Sequence, residues 1–135
     1  MMRTMVKCKI HRATVTDAQL HYEGSVTVDR TLMDAAGLVE YEQVHIWNVD
    51  NGNRFTTYVI EGEADSGVIC LNGAAARQVS KGDLVIIASF GTYDEKELAS
   101  FQPTLVYVDK ANRITNVKRK VESASQRPRV AAVKN

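Results

Sequence analysis

The feature that most constrains the fold is an Asn51-Gly52 step between two strand-like runs, QVHIWNV at 43–49 and RFTTYVIE at 54–61. Asn-Gly favours the tight turns that join antiparallel strands, so this segment predicts a β-hairpin. Further runs predict strands at 4–15, 25–29, 67–71, 84–90, 104–109 and 113–117, and short helices at 31–38 and 72–77. Many short strands with two short helices favour a mainly β chain forming a small closed barrel over a layered α/β fold.

Length and charge predict one domain with a distinct C-terminal tail. The chain has 135 residues, which fits a single domain. Residues 1–117 carry 11 Lys and Arg against 15 Asp and Glu, whereas residues 118–135 carry six against one. We therefore expect a mildly acidic barrel domain over 1–117 and a basic, flexible tail over 118–135.

The same composition argues against several classes of protein. No apolar run approaches the roughly 20 residues that span a bilayer, and the N-terminus lacks the apolar stretch of a signal peptide, so we expect a cytoplasmic protein without membrane partners. Cys8 and Cys70 form no CxxC pattern, and three histidines match no metal-ligand spacing. We expect no disulfide and no metal site.

The segment from His21 to Val26, HYEGSV, contains a Gly24-Ser25 pair with a chemical use. Glycine tolerates strained dihedral angles and has no side chain to block attack on its carbonyl group. A following serine hydroxyl can add to that carbonyl and move the acyl group from nitrogen to oxygen. Elimination and hydrolysis of the ester would then leave a pyruvoyl group. A lone Gly-Ser pair is also common in ordinary loops before strands. Only the residues that accompany the pair can therefore indicate self-cleavage.

From Arg3 to about Val108 the sequence resembles the bacterial aspartate 1-decarboxylases. The matching segments include the HYEGS run at 21–25, an IWNV run at 46–49 and Asn51-Gly52. Further matches are RTM at 3–5, KIHR at 9–12, Leu20, DAAG at 34–37, RF at 54–55, TY at 57–58, NGAAA at 72–76 and GDLVII at 82–87.

The resemblance implies a six-stranded double-psi β-barrel assembled as a homotetramer with active sites between subunits. It implies cleavage between Gly24 and Ser25 into a β chain (1–24) and an α chain (25–135) that begins with a pyruvoyl group, with no metal and no pyridoxal phosphate. That group would form a Schiff base with L-aspartate and release CO2 and β-alanine for pantothenate synthesis. Some relatives need a separate maturation protein, which remains a potential partner here.

The resemblance also assigns roles to individual residues. Tyr58 is implied as the proton donor, which suits a phenol that is protonated at neutral pH. Arg54 precedes it by four residues on the same strand face and can bind a carboxylate through two hydrogen bonds. Lys9 and His11 share a face of the first strand; Lys9 could help to hold an acidic substrate, and His11 is expected to line the site.

Thr57 is implied in self-cleavage, where its hydroxyl would polarise the Gly24 carbonyl, and in substrate binding. Strict alternation places Thr57 on the strand face opposite to Tyr58. Either the strand is twisted or bulged there, or the two residues serve surfaces that converge only around Gly24. The remaining implied residues are Asn72, Gly73, Ala74 and Ala75 at the substrate, with Tyr22 and Trp47 lining the pocket.

Two other functions stay open on the sequence alone. Related small barrels bind DNA, and the basic tail could contact phosphates, but the body is acidic and lacks interleaved aromatic and basic residues, so we expect no nucleic acid as a partner. Alternatively, the enzyme could decarboxylate another acidic amino acid such as glutamate, because Arg54 and Lys9 do not fix the length of the substrate. The chain could also persist as an uncut precursor.

Overall fold

The structure is a computed structural model that describes residues 1–121, and its secondary structure is mainly β, as the sequence predicts. Nine strands are present in this part of the chain: β1 Arg3–Thr14, β2 Asp17–Gln19, β3 Ser25–Asp29, β4 Gln43–Asn48, β5 Arg54–Gly62, β6 Ile69–Asn72, β7 Leu84–Tyr93, β8 Thr104–Val108 and β9 Ile114–Lys118. The helices are α1 Arg30–Ala36, a 3₁₀ helix Gly73–Gln78 and α2 Glu95–Leu98.

The strands pair in the order β2-β6-β3-β5-β4-β7-β1-β8-β9. Most neighbours are antiparallel, but β1–β8, β2–β6 and β3–β5 are parallel. Strands β1 and β2 are consecutive in the chain yet stand seventh and first in the sheet. Three peptide units span at most about 11 Å, whereas six strand spacings in a flat sheet would span roughly 29 Å. The sheet is therefore strongly curled.

Backbone hydrogen bonds at the junction between β1 and β2 connect distant parts of the curled sheet. The amide of Thr16 donates to the carbonyl of Ile69 at 2.8 Å, and the amide of Val15 donates to the carbonyl of Asp83 at 2.9 Å. One hydrophobic core fills the interior, with Ile10, Val26, Ile46, Val59 and Ile87 fully buried. The curled sheet thus encloses a single core, and α1 packs against it through Leu32 and Met33.

Local sequence signals explain the best-defined elements. The Asp29 carboxylate accepts a hydrogen bond from the Thr31 amide and caps α1, and Gly37 ends the helix in the left-handed conformation with φ 77°. Strands β4 and β5 form the predicted hairpin around Asn51-Gly52, in which Arg54 pairs with Trp47 and Tyr58 pairs with Gln43. The sequence analysis missed the three-residue β2 and the one-turn α2.

Hydrogen bonding does not close the sheet within residues 1–121, since β2 and β9 are its two edges. The closed six-stranded double-psi barrel therefore remains a prediction. Most of the basic tail, 122–135, lies outside the described residues. The described part contains no helix long and apolar enough to cross a membrane.

Candidate active site

A cavity of about 600 Å³ brings together four of the residues singled out in the sequence: Tyr22, Ser25, Tyr58 and Asn72. Ser25 is the first residue of β3, Asn72 is the last residue of β6, and the two form a pair in that antiparallel ladder. Tyr58 lies on β5, the other neighbour of β3. Because β3 pairs with both β5 and β6, three side chains that are far apart in sequence lie in the same cavity.

The Ser25 hydroxyl is the buried reactive group of this cavity. Ser25 is 2% exposed and Asn72 is 4% exposed. The amide nitrogen of Asn72, Nδ2, donates hydrogen bonds to Ser25 Oγ at 2.9 Å and to Thr27 Oγ1 at 3.0 Å. The hydroxyl is therefore held in a defined position at the bottom of a site that reaches solvent past Tyr22, which is 66% exposed.

A second cavity, of about 280 Å³, lies on the other side of the Gly24-Ser25 pair. Its lining includes Gly24, Thr57, Ala74 and Ala75. Side chains of β5 alternate regularly, so Thr57 faces this second cavity while Tyr58 faces the first. The pairing of β5 with β4 runs without a register shift, so the strand is not bulged at Thr57, and Thr57 and Tyr58 line two cavities that both adjoin the Gly24-Ser25 pair.

Gly73 packs directly on the segment that precedes Ser25. Its φ is 65°, in the left-handed region that favours glycine, and a Cβ there would lie 2.7 Å from both Gly24 N and Tyr22 O. Gly24 does not have a positive φ, and a Cβ there would meet only Asn72 O, at 3.9 Å. The strained backbone dihedral that glycine would permit at position 24 is thus not found. Gly73 is instead the residue whose close packing requires the absence of a side chain.

Arg54 and Trp47 lie together, but outside the Ser25 cavity. The Arg54 guanidinium stacks over the Trp47 ring at 4.5 Å from its centroid, and both residues line a cavity of about 330 Å³ with Phe90. Four residues along a strand span roughly 13 Å, so Arg54 and Tyr58 share a face of β5 but face different cavities.

Lys9 and His11 lie on β1, which is separated from β3 in the sheet by three strands. His11 lines a third cavity beside Tyr107, with ring centroids 5.3 Å apart, and its buried Nδ1 has no hydrogen-bond partner among residues 1–121. Burial and, to a smaller extent, the charges of Lys9 and Arg12 lower the pKa of His11. A neutral imidazole is therefore the expected form in this chain at neutral pH.

Eight of the residues that line this cavity were not predicted from the sequence, and Thr27, Tyr41 and Cys70 are three of them. Thr27 and Cys70 are two positions from Ser25 and Asn72 on paired strands, so the period-two alternation of a strand could have indicated them. Tyr41 lies in the loop before β4, with φ 74° and its ring centroid 6.4 Å from that of Tyr58. No signal in the sequence indicates that contact. Within residues 1–121 no cluster of potential metal ligands is present.

Comparison with known proteins gives a consistent result. The family described as aspartate decarboxylase matches residues 1–115. The chain is 63% identical over 114 residues to an aspartate 1-decarboxylase of Syntrophus aciditrophicus, covering 84% of this chain and 98% of that protein. It is 60% identical over 119 residues to one of Dehalococcoides mccartyi, covering 88% and 96%. It is 52% identical over 126 residues to one of Leptothrix cholodnii, covering 93% and 96%.

Proposed function

The chain belongs to the aspartate decarboxylase family and decarboxylates aspartate, and we propose that its reactive group is a pyruvoyl group formed from Ser25. It is a carboxy-lyase that converts L-aspartate to β-alanine and CO2, and members of this family supply β-alanine for pantothenate. The observation that carries the proposal is the placement of Ser25. Its buried hydroxyl follows Gly24 directly and shares a cavity with Tyr58.

The residues around the Gly24-Ser25 pair fit the formation of such a group. Ser25 Oγ adds to the Gly24 carbonyl carbon, the bond from that carbon to the Ser25 nitrogen breaks, and the hydroxyl proton passes to the nitrogen. Thr57 lies in the cavity on the Gly24 side, where its hydroxyl polarises the carbonyl. The ester then breaks by elimination, and Gly24 leaves as a carboxylate. Hydrolysis of the product releases ammonia and leaves the pyruvoyl group at position 25, where the α chain starts.

Once formed, the pyruvoyl carbonyls supply the electron sink that decarboxylation of an α-amino acid needs. Tyr58 lies in the same cavity and returns a proton to the carbon that has lost CO2. Asn72 and the backbone of Gly73, Ala74 and Ala75 orient the substrate from the end of β6. Tyr22 covers the open side of the cavity.

Groups that bind the substrate carboxylate come from a neighbouring copy of the chain. Arg54, Trp47, Lys9 and His11 lie outside the Ser25 cavity of their own chain. Arg54 is exposed and already oriented by stacking on Trp47, and the buried His11 Nδ1 still lacks a partner. These features support a homotetramer with active sites between subunits.

The curled sheet supports the six-stranded double-psi barrel as the core of each subunit, spanning residues 1–117. Only two residues, Val15 and Thr16, join β1 to β2, although these strands stand seventh and first in the sheet. The cytoplasm is the proposed location, in keeping with two free thiols, Cys8 and Cys70.

The intact mass of the purified protein under denaturing conditions tests the proposal. We expect two chains that are split after Gly24, with the larger lighter than simple hydrolysis predicts by the mass of one ammonia. Ser25→Ala removes the nucleophile, so this control is expected to remain a single chain. The cleaved protein should release β-alanine from L-aspartate, and a parallel assay with L-glutamate tests the alternative substrate.

A chain that stays uncut after long incubation, even with lysate of its host, would overturn the pyruvoyl proposal. Cleavage that occurs only with lysate would instead identify a maturation protein as a partner. Equal turnover of L-glutamate would show that the site does not select substrate length.

A further inference from the structure

Four side chains on β3 and β6 form a hydrogen-bonded cluster at the bottom of the Ser25 cavity. In this antiparallel ladder Ser25 pairs with Asn72 and Thr27 pairs with Cys70. Side chains two positions apart on a strand share a face, so all four point into the cavity, and all four line it. We call Ser25, Thr27, Cys70 and Asn72 the amide cluster, because the Asn72 carboxamide joins the other three.

The carboxamide of Asn72 uses both of its ends within the amide cluster. Its Nδ2 donates to Ser25 Oγ at 2.9 Å and to Thr27 Oγ1 at 3.0 Å. Its Oδ1 accepts a hydrogen bond from the Cys70 thiol, with Sγ 3.4 Å away. A hydroxyl group can donate or accept, so Ser25 and Thr27 tolerate either orientation of the carboxamide. Cys70 favours the orientation that turns Oδ1 towards its thiol, because the thiol donates to Oδ1 while the Cys70 backbone carbonyl, which can only accept, lies 3.5 Å from Nδ2.

We propose that Cys70 is a positioning residue for self-cleavage, whose thiol orients Asn72 so that an N–H group points at Ser25 Oγ. The proposal rests on the function proposed above. Cys70 is 8% exposed, and burial, with a smaller contribution from the charge of Asp17, raises the pKa of its thiol. The thiol therefore keeps its proton at neutral pH and remains a donor, and it is a poor nucleophile towards the carbonyl groups beside it.

An N–H group directed at Oγ matters most when the ester breaks. In that step the bond between Cβ and Oγ of residue 25 is cleaved, a Cα proton passes to water, and a Cα=Cβ double bond forms. Gly24 leaves as a carboxylate that retains the former Ser25 Oγ, so negative charge develops on this oxygen. A positioned donor stabilises such charge in the transition state. Cys70 acts on this step only through Asn72.

Two substitutions at position 70 distinguish the effect of the hydrogen-bond donor from the effect of side-chain packing. Cys70→Ser keeps a donor but is smaller, whereas Cys70→Val fills the space but cannot donate. We expect Cys70→Val to slow the appearance of the cleaved chains about three- to tenfold, the scale of one lost hydrogen bond, and Cys70→Ser to mature at nearly the wild-type rate. The measurement is the cleaved fraction over time, from intact masses, with thermal unfolding recorded for each variant.

Cys8→Ala is the matched control, because Cys8 is the other buried cysteine and lies on β1 outside this cluster. If Cys70→Val matures normally while Cys70→Ser is slow, the residue acts by packing and the proposal is wrong. It is equally wrong if both variants mature like the wild type or if both are slow. Absence of cleavage in the wild type and in Cys8→Ala, even with lysate of the host, would instead overturn the proposed function itself.

Discussion

At the scale of single residues, the position of the Gly24-Ser25 pair depends on Gly73, which packs against its backbone. Gly73 begins the 3₁₀ helix with φ 65°, and its Cα approaches the Gly24 backbone so closely that even one methyl group would collide with it. The backbone contact therefore sets the distance between the segment 22–24 and Asn72, which holds Ser25 Oγ. The self-cleavage proposed above would require this spacing, because attack depends on a short, aligned approach of the hydroxyl to the carbonyl.

We predict that Gly73→Ala slows cleavage after Gly24 by roughly ten- to a hundredfold, because a displacement of about 1 Å can cost that much. Stability should also fall by about 1–3 kcal/mol, from the left-handed φ and the contact together. Intact mass over time and chemical denaturation measure the two effects.

Gly37→Ala is the matched control for Gly73→Ala. Gly37 has φ 77°, yet a Cβ there would meet nothing within 4 Å. Its cost should be backbone strain alone, about 1 kcal/mol, with cleavage unchanged. Slow cleavage in both variants would show that general destabilisation, rather than the contact with Gly24, controls the rate.

At the scale of secondary-structure elements, much of the site could be predicted from the sequence. Ser25 and Asn72 lie at strand ends because β-branched and apolar runs define β3 and β6. The period of β5 predicted that Thr57 and Tyr58 lie on opposite faces, but it left open whether a bulge would change that. The pairing of β3 with β6 could not be predicted, because it joins segments more than 40 residues apart and depends on the curl of the whole sheet. The contact of Tyr41 with Tyr58 was missed for a different reason: Tyr41 lies just before the predicted strand, in a loop where its φ of 74° is not indicated by the sequence.

The loop that follows α1 is tied to two strands by Glu42. This carboxylate accepts hydrogen bonds from Lys7 on β1, from Ser89 on β7 and from the Val39 amide. Burial alone would raise the pKa of Glu42, but the hydrogen bonds from Lys7, Ser89 and Val39 outweigh it and hold the pKa below its ordinary value of 4.5. A carboxyl group with a depressed pKa stabilises the fold above its unfolded pKa, and this contribution is lost as the pH falls through the folded value.

We therefore predict that Glu42→Gln lowers stability near neutral pH and flattens the loss of stability that the wild type shows below about pH 4.5. The measurement is the free energy of unfolding in denaturant as a function of pH. Glu63→Gln is the control, since Glu63 is exposed near the end of β5 and its side chain has no hydrogen bond or ion pair in the described part of the chain. Identical pH profiles for both variants would contradict the role of Glu42.

At the scale of the whole molecule, a single chain divides the residues implied in catalysis among separate surfaces. Ser25, Tyr58 and Asn72 share one cavity, while Arg54 and His11 line two others. Strand geometry makes this division unavoidable, because Arg54 and Tyr58 on β5 are roughly 13 Å apart. The alternation of β5 predicted that Arg54 and Tyr58 share a face, but it did not predict that they would line different cavities along that face. If Arg54 binds substrate at the Ser25 cavity, as proposed, a second copy of the chain has to supply it.

This requirement leads to a test with two different defective chains in one oligomer. One chain carries Arg54→Ala and keeps Ser25 and Tyr58, and the other carries Tyr58→Phe and keeps Arg54. If Arg54 acts in the cavity of a neighbour, mixed oligomers contain some sites with every group intact. Random mixing of equal amounts should then restore about a quarter of the wild-type β-alanine release, because each site draws its two halves independently.

If Arg54 instead serves its own chain, every site in the mixed oligomer retains one defect. Co-expression with two different affinity tags isolates the mixed species, and each variant expressed alone gives the background. Intact masses should show normal cleavage after Gly24 in both chains, so that any lost activity belongs to decarboxylation. Activity of the mixed species no higher than the mean of the two parents would rule out a site shared between subunits, since complementation requires that the cavity and its arginine come from different chains.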